Sequence, residues 1–248
     1  MPKFSRRWLC ALVVLIAPLL IAAERSHELD RRDLAGIHTI ALIGPAQPGI
    51  FRVSTEDVRR QLLVVQVLAG AIGRSALEES IVSGMKEGTL LHALYDGNTG
   101  LAAKMKLAIE KALETQGYDV TRLSLDRKNS YLLDDYTRLR VDADVILDLE
   151  IHAPLYDDST TPDAKLAPHV EIEVKLMKNN RPKSVLFYQV YSYQASPPGS
   201  SRIAWIQVDR KYWFDNIDAA NANLPLAVQG IQDVIPLIAA RIADMLKP

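Results

Sequence analysis

The chain has 248 residues, 48% hydrophobic and 24% charged, with 29 basic against 30 acidic groups. That composition excludes a disordered tail, a collagen-like chain and a polytopic membrane protein, and it suffices for a sizeable buried core. Residues 1–23 carry Lys3, Arg6 and Arg7 and no acid, so removing them takes the 29 basic groups to 26 against 30 acids, a net of −4 that disfavours non-specific nucleic-acid binding.

The first element is an export segment. Lys3, Arg6 and Arg7 precede an apolar run over 8–23, broken by Pro18 and closing on Ala22-Ala23 before Glu24. This is the order of a secretion signal, and the run is shorter than the roughly 20 apolar residues of a permanent membrane span. Cleavage after Ala23 is expected, leaving 24–248 as a single α/β periplasmic domain. The alternative is an uncleaved inner-membrane anchor carrying the same domain. Cys10 is the one cysteine and follows Arg7-Trp8-Leu9, whereas a lipoprotein signal places a small residue directly before its cysteine. Lipidation at Cys10 is not expected, and loss of the segment removes disulfides, thiol nucleophiles and thiolate metal sites from consideration.

Residues 37–43 read as a buried strand stopped by Gly44-Pro45. Val58, Leu62, Val65, Ala69 and Ile72 recur at helical spacing. Because Leu63, Val64, Val67 and Leu68 make that helix apolar on most sides, it must be buried or contact a membrane or partner. The glycines between 70 and 100 predict broken helix and loop. Leu101, Met105, Ile109 and Leu113 form the stripe of a helix that Gly117 ends, and 118–125 follows as a strand. A short helix over 131–139 is expected next. Within 143–151, Val145, Leu147, Leu149 and Ile151 alternate with Ile146, Asp148 and Glu150, the pattern of a half-buried strand.

After a polar loop, 169–177 alternates again, and Asn179-Asn180 turns it into 184–193, a hairpin signal. The second arm is apolar on both faces, as an interior strand is. Residues 196–201, centred on Pro197-Pro198-Gly199, suit a mobile loop. Finally Leu224, Val228, Ile231, Ile235, Ile238, Ile242 and Met245 trace a long amphipathic helix with Asn223 at its cap position, Pro225 in its first turn and a kink expected near Pro236. Together these elements predict an α/β fold: a mixed β-sheet with a C-terminal hairpin, packed against amphipathic helices including the long C-terminal one.

The segments Gly117-Tyr118-Asp119-Val120 and Asp142-Ala143-Asp144-Val145-Ile146-Leu147 resemble those of bacterial envelope proteins that share a small α/β domain. In these, a gly-tyr-x-val strand, a helix and an ala-asp-x-x-leu strand precede a hairpin and a C-terminal helix. The curli-secretion lipoprotein, the lipoprotein activators of peptidoglycan synthases and the N-terminal domain of the Tol translocation protein look like this. The resemblance spans about residues 37–246 in element order and is one of fold. This chain departs from the lipoprotein members in lacking a usable lipobox cysteine. The resemblance implies a non-catalytic periplasmic module that contributes to envelope assembly or transport.

Motifs for chemistry are sparse. Gly84 to Thr89 lacks the Gly-Lys-Ser/Thr ending of a phosphate loop, and no Gly-x-Gly-x-x-Gly or Gly-x-Ser-x-Gly occurs, so nucleotide binding and serine hydrolysis have no linear support. His27-Glu28 has no second histidine at zincin spacing. No catalytic residue, metal ligand or cofactor is assigned on this basis. One polar constellation stands out. Asp148, Glu150 and His152 share a strand face, as do His169, Glu171 and Glu173, and the two sets converge if their strands are antiparallel neighbours. Carboxylate with imidazole suits Zn²⁺ or Mn²⁺. The pattern alone favours a solvated face neutralised by Lys175, Lys178, Arg181 and Lys183. Residues 205–214 gather aromatic rings around basic groups, and Trp205, Arg210, Tyr212 and Trp213 are the candidate partner-binding residues, although rings of this size also suit a core.

The function expected is that of a non-enzymatic, exported binding or assembly module. Its partner would be an envelope protein or lipid-transport component, with membrane contact through the N-terminal segment or the 58–72 helix. The alternatives are a metal-dependent hydrolase built on the acid/histidine strands and a membrane-tethered module if residues 1–23 remain.

Overall fold

The computed structural model describes residues 31–48, 51–54, 90–125, 132–133, 135–139, 141–152, 154–179 and 184–247. The export segment and the 58–72 helix lie outside the described residues. In chain order the elements are α1 (Arg31–Leu34), β1 (Thr39–Ile43), β2 (Arg52–Ser54), α2 (Leu90–Gly97), α3 (Leu101–Thr115), β3 (Asp119–Leu123) and β4 (Val145–Ile151). There follow β5 (Leu155–Asp157), β6 (Ala167–Lys178), β7 (Val185–Gln194), β8 (Ile203–Gln207), a 3₁₀ turn (Arg210–Tyr212), α4 (Ile217–Asn221), α5 (Leu224–Gln232) and α6 (Val234–Met245). The fold is α/β around one mixed sheet.

Strands β3, β1 and β4 run parallel, β4 and β7 flank β6 antiparallel, and β8 closes the sheet parallel to β7. Strand β5 pairs with the start of β6 and carries β2 parallel beside it. The helix-then-strand unit forms as the sequence predicts. Gly117 adopts φ +92, the left-handed conformation that lets the Tyr118 amide reach back to the Leu113 carbonyl and end α3. Tyr118 then buries its ring and donates its hydroxyl to the carbonyl of Leu246, tying the start of β3 to the end of α6. Asp144 performs a similar service for the central strands. Its carboxylate accepts from the amides of His38 (2.8 Å) and Thr39 (2.9 Å), which hold it below the ordinary carboxylate range and clamp the start of β4 to the start of β1.

The period-two pattern of β4 and β6 sorts their side chains between two faces. Val145, Leu147, Leu149 and Ile151 join Val170, Ile172, Val174 and Leu176 in the main core, under Leu94, Met105, Ile109, Ile231, Ile238 and Ile242 of the helices. On the opposite face Ala41, Ile43, Ile146 and Met177 make a smaller core with Tyr136, against which Leu133, Leu139 and Val141 pack.

Residues 224–245 form a helix in two parts. Its length and mean hydropathy of 1.3 would suffice to cross a membrane, but its stripe is spent on the main core. The interruption falls at Asp233, earlier than the kink expected near Pro236. Proline has no N–H and its ring opposes the carbonyl four residues back, here that of Gln232, so the discontinuity belongs one turn upstream. Asn223 occupies the cap position but its side chain makes no capping bond. Close packing of α5 on the sheet is read from Gly230, where a Cβ would meet the Tyr156 hydroxyl at 2.5 Å.

The helix expected over 131–139 is absent among its described residues. The reason is competition for backbone donors. The Leu132 amide donates to Glu150 (2.8 Å) and the Leu133 amide to Asp148 (3.1 Å), while Asp135 takes the Thr137 amide, so the segment runs across the sheet instead of coiling.

Candidate functional site

The second face of the sheet is the polar one, and β4 and β6 are antiparallel neighbours on it. Their register sets Glu150 opposite Glu173 and Asp148 opposite Lys175, so the two acid/histidine sets converge. The solvated face favoured by the residue pattern is corrected here for its inner members: Asp148 and Glu150 are buried. The segment around 132–139 lies over them, supplying the Leu132 and Leu133 amides and the Tyr136 hydroxyl, which donates to Asp148 at 2.8 Å. Lys175 sits over the Tyr136 ring, 5.0 Å from its centroid, which favours the cation electrostatically.

Next to this covered end, the face opens through Glu150, His152 and Glu173. Side-chain exposure rises from 3% at Glu150 to 22% at Glu173 and 35% at His152. The imidazole lies between the carboxylates, with Nε2 2.9 Å from Glu173 Oε1 and Nδ1 3.5 Å from Glu150 Oε1. The other oxygen of each acid is held from outside: Glu150 Oε2 by the Leu132 amide, Glu173 Oε2 by the Tyr188 hydroxyl at 3.0 Å. The Glu173 hydrogen bond raises the His152 pKa, with the charges of Glu150 and Glu171 adding to it. The same bond holds Glu173 below its ordinary range.

A second histidine lies along the same face. His169 Nδ1 is 3.8 Å from Asp157 and Nε2 is 3.6 Å from Glu171, distances of ion pairs rather than hydrogen bonds, and the Ser192 hydroxyl is 3.4 Å from Nε2. Burial pulls the imidazole pKa down, but Asp157 and Glu171 outweigh it and raise the value to about 9. Serine, histidine and aspartate in this order invite comparison with a hydrolytic triad. The chemistry does not follow, because Ser192 is fully buried and an imidazolium at neutral pH cannot accept a hydroxyl proton.

The aromatic segment folds differently from a single exposed patch. Part of it is β8, and Trp205 donates its indole N–H to the Gln194 carbonyl at 3.0 Å. Tyr212 is fully buried with its hydroxyl on Asp233, so it lies beneath the surface. Trp205 and Trp213 are half-buried, and the exposed Arg210 guanidinium lies 5.5 Å from the Trp213 ring centroid. Beside them, at the carboxyl ends of β7 and β8, is a groove of about 570 Å³ lined by Tyr193, Gln207, Val208, Asp209, Arg210, Asp233 and Leu237.

No protein-family model matches the chain, and no curated protein is significantly similar to it. The site is therefore read from its own residues. Sequence reasoning found the acid/histidine faces and Arg210. It missed Tyr188, the Leu132 amide, Asp233 and Leu237, which come from other elements. Alternation along β7 was the available signal for Tyr188, since it faces the same side as Glu173.

Proposed function

We propose that this chain is a non-enzymatic, exported envelope protein that binds a protein or lipid-transport component through the groove at the carboxyl ends of β7 and β8. The groove carries this reading. It joins one exposed aliphatic side chain, Leu237, to Arg210, Asp209 and Asp233, the mixture of apolar anchor and charged rim that recognition surfaces use. Crevices beyond the carboxyl ends of parallel strands are also where α/β folds place ligands.

The double change Arg210→Ala with Trp213→Ala is expected to weaken a partner recovered from crosslinked envelopes at least tenfold while leaving the fold cooperative. Undiminished recovery would remove the groove from consideration. A metal-dependent hydrolase is the second reading, favoured by the convergence of Glu150, His152 and Glu173. Turnover of an ester or amide substrate above trace rate would move the balance to it. A tethered module requires residues 1–23 to remain, which the mass of the protein from envelopes decides.

A further inference from the structure

We propose that Glu150, His152 and Glu173 form a binding site for one divalent first-row transition-metal ion, with Zn²⁺ bound more tightly than Mn²⁺. One ligand atom from each lies within 4.8 Å of the others, a spacing from which small side-chain rotations reach a common ion at the usual 2.0 to 2.2 Å. None of the three lines the groove, so the site stands apart from the binding function proposed above.

The sheet itself gives a reason for a cation here. Glu150 and Glu173 are directly opposite each other on β4 and β6, and Glu171 follows on the same face. Like charges facing across a strand pair are destabilising, more so when one is buried. A protonated His152 offsets one negative charge. A divalent ion offsets two, and uses the imidazole as a ligand as well.

The surrounding bonds fit that role. Leu132 and Tyr188 each hold the far oxygen of one glutamate, and the near oxygen, Oε1, faces His152, which is how outer groups orient metal-binding carboxylates. The gradient from buried Glu150 to part-exposed His152 provides an entry path and leaves the outer side of an ion to water. One nitrogen and two oxygens suit zinc or manganese. A Mg²⁺ site would prefer oxygen donors alone.

The test is titration of the mature protein with ZnCl₂ by calorimetry, repeated with MnCl₂ and MgCl₂. The expected result is one Zn²⁺ per chain at micromolar affinity or tighter, weaker Mn²⁺, and no Mg²⁺ response at the same concentration. His152→Ala and Glu173→Gln should each weaken Zn²⁺ at least tenfold, whereas His169→Ala, outside the cluster, should not. Because a variant can lose its fold, a second measurement uses the unaltered protein: added Mn²⁺ should broaden the imidazole proton signals of His152 before those of His27, His38, His92 and His169. No zinc binding at 1 mM, a preference for Mg²⁺, equal loss in His169→Ala, or broadening that starts at another histidine would overturn the assignment.

Discussion

Ile231→Asp is expected to abolish the cooperative unfolding transition of this protein, or to lower its stability by at least about 4 kcal/mol. The side chain is fully buried between α5 and the sheet. Losing its burial forfeits about 2 kcal/mol or more, and the aspartate adds an uncompensated charge that costs several kcal/mol further unless it takes up a proton. A loss of that size takes a large share of the roughly 5 to 15 kcal/mol by which domains are stable. Truncation before Asn223 should act alike, since it removes Ile231, Ile235, Ile238 and Ile242 together. The check is thermal or urea unfolding followed by circular dichroism. A sharp transition within about 1 kcal/mol of the unaltered protein would mean that the C-terminal helix is not part of the core.

Stability should fall as pH rises from about 6.5 to about 9. The sign follows from His169, whose value is raised in the folded protein to about 9 from roughly 6.5 in the unfolded chain. A group shifted upward favours the fold while it is protonated. Its contribution is therefore complete below about pH 6.5 and is lost as the folded imidazole gives up its proton. His152 is raised as well and acts in the same direction. On the acid side Glu171 and Glu173 are lowered by their histidine partners, so their contribution disappears as pH falls through the carboxylate range. The melting temperature should be greatest at mildly acidic pH, and His169→Gln should flatten most of the alkaline decline. A melting temperature that is constant or rises between pH 6.5 and 9 would show that His169 does not keep its proton among Asp157, Glu171 and Ser192.

What the sequence makes legible here is whatever short-range pattern controls. Alternation along β6 reports its burial and that along β4 reports which side chains face the main core, Asn179-Asn180 reports the hairpin, and the stripe from Leu224 to Met245 reports the terminal helix. The failures arise where a distant group decides. Residues 131–139 have helical spacing, yet the carboxylates of Glu150 and Asp148 capture the Leu132 and Leu133 amides, and no local rule contains that competition. The burial of those two acids has the same origin, because a face that looks solvated along one strand is closed by a segment folding over it. Strand β8 went unrecognised because its five residues carry no clear period. Its place is set by pairing with β7, and with it comes the groove, whose lining joins β7, β8, the 3₁₀ turn, Asp233 at the break in the terminal helix and Leu237 beyond it. Residues that converge from so many elements have no linear signature.

The most direct measurement of the proposed function is site-specific photo-crosslinking in intact envelopes, with the reactive residue placed once at Leu237 and once at Leu107. Both side chains are exposed, 41% and 55% respectively, but only Leu237 lines the groove. The groove reading predicts one discrete adduct from position 237 and none from position 107. Equal labelling from the two positions, or no adduct from 237 in envelopes where the protein is abundant and folded, would contradict it.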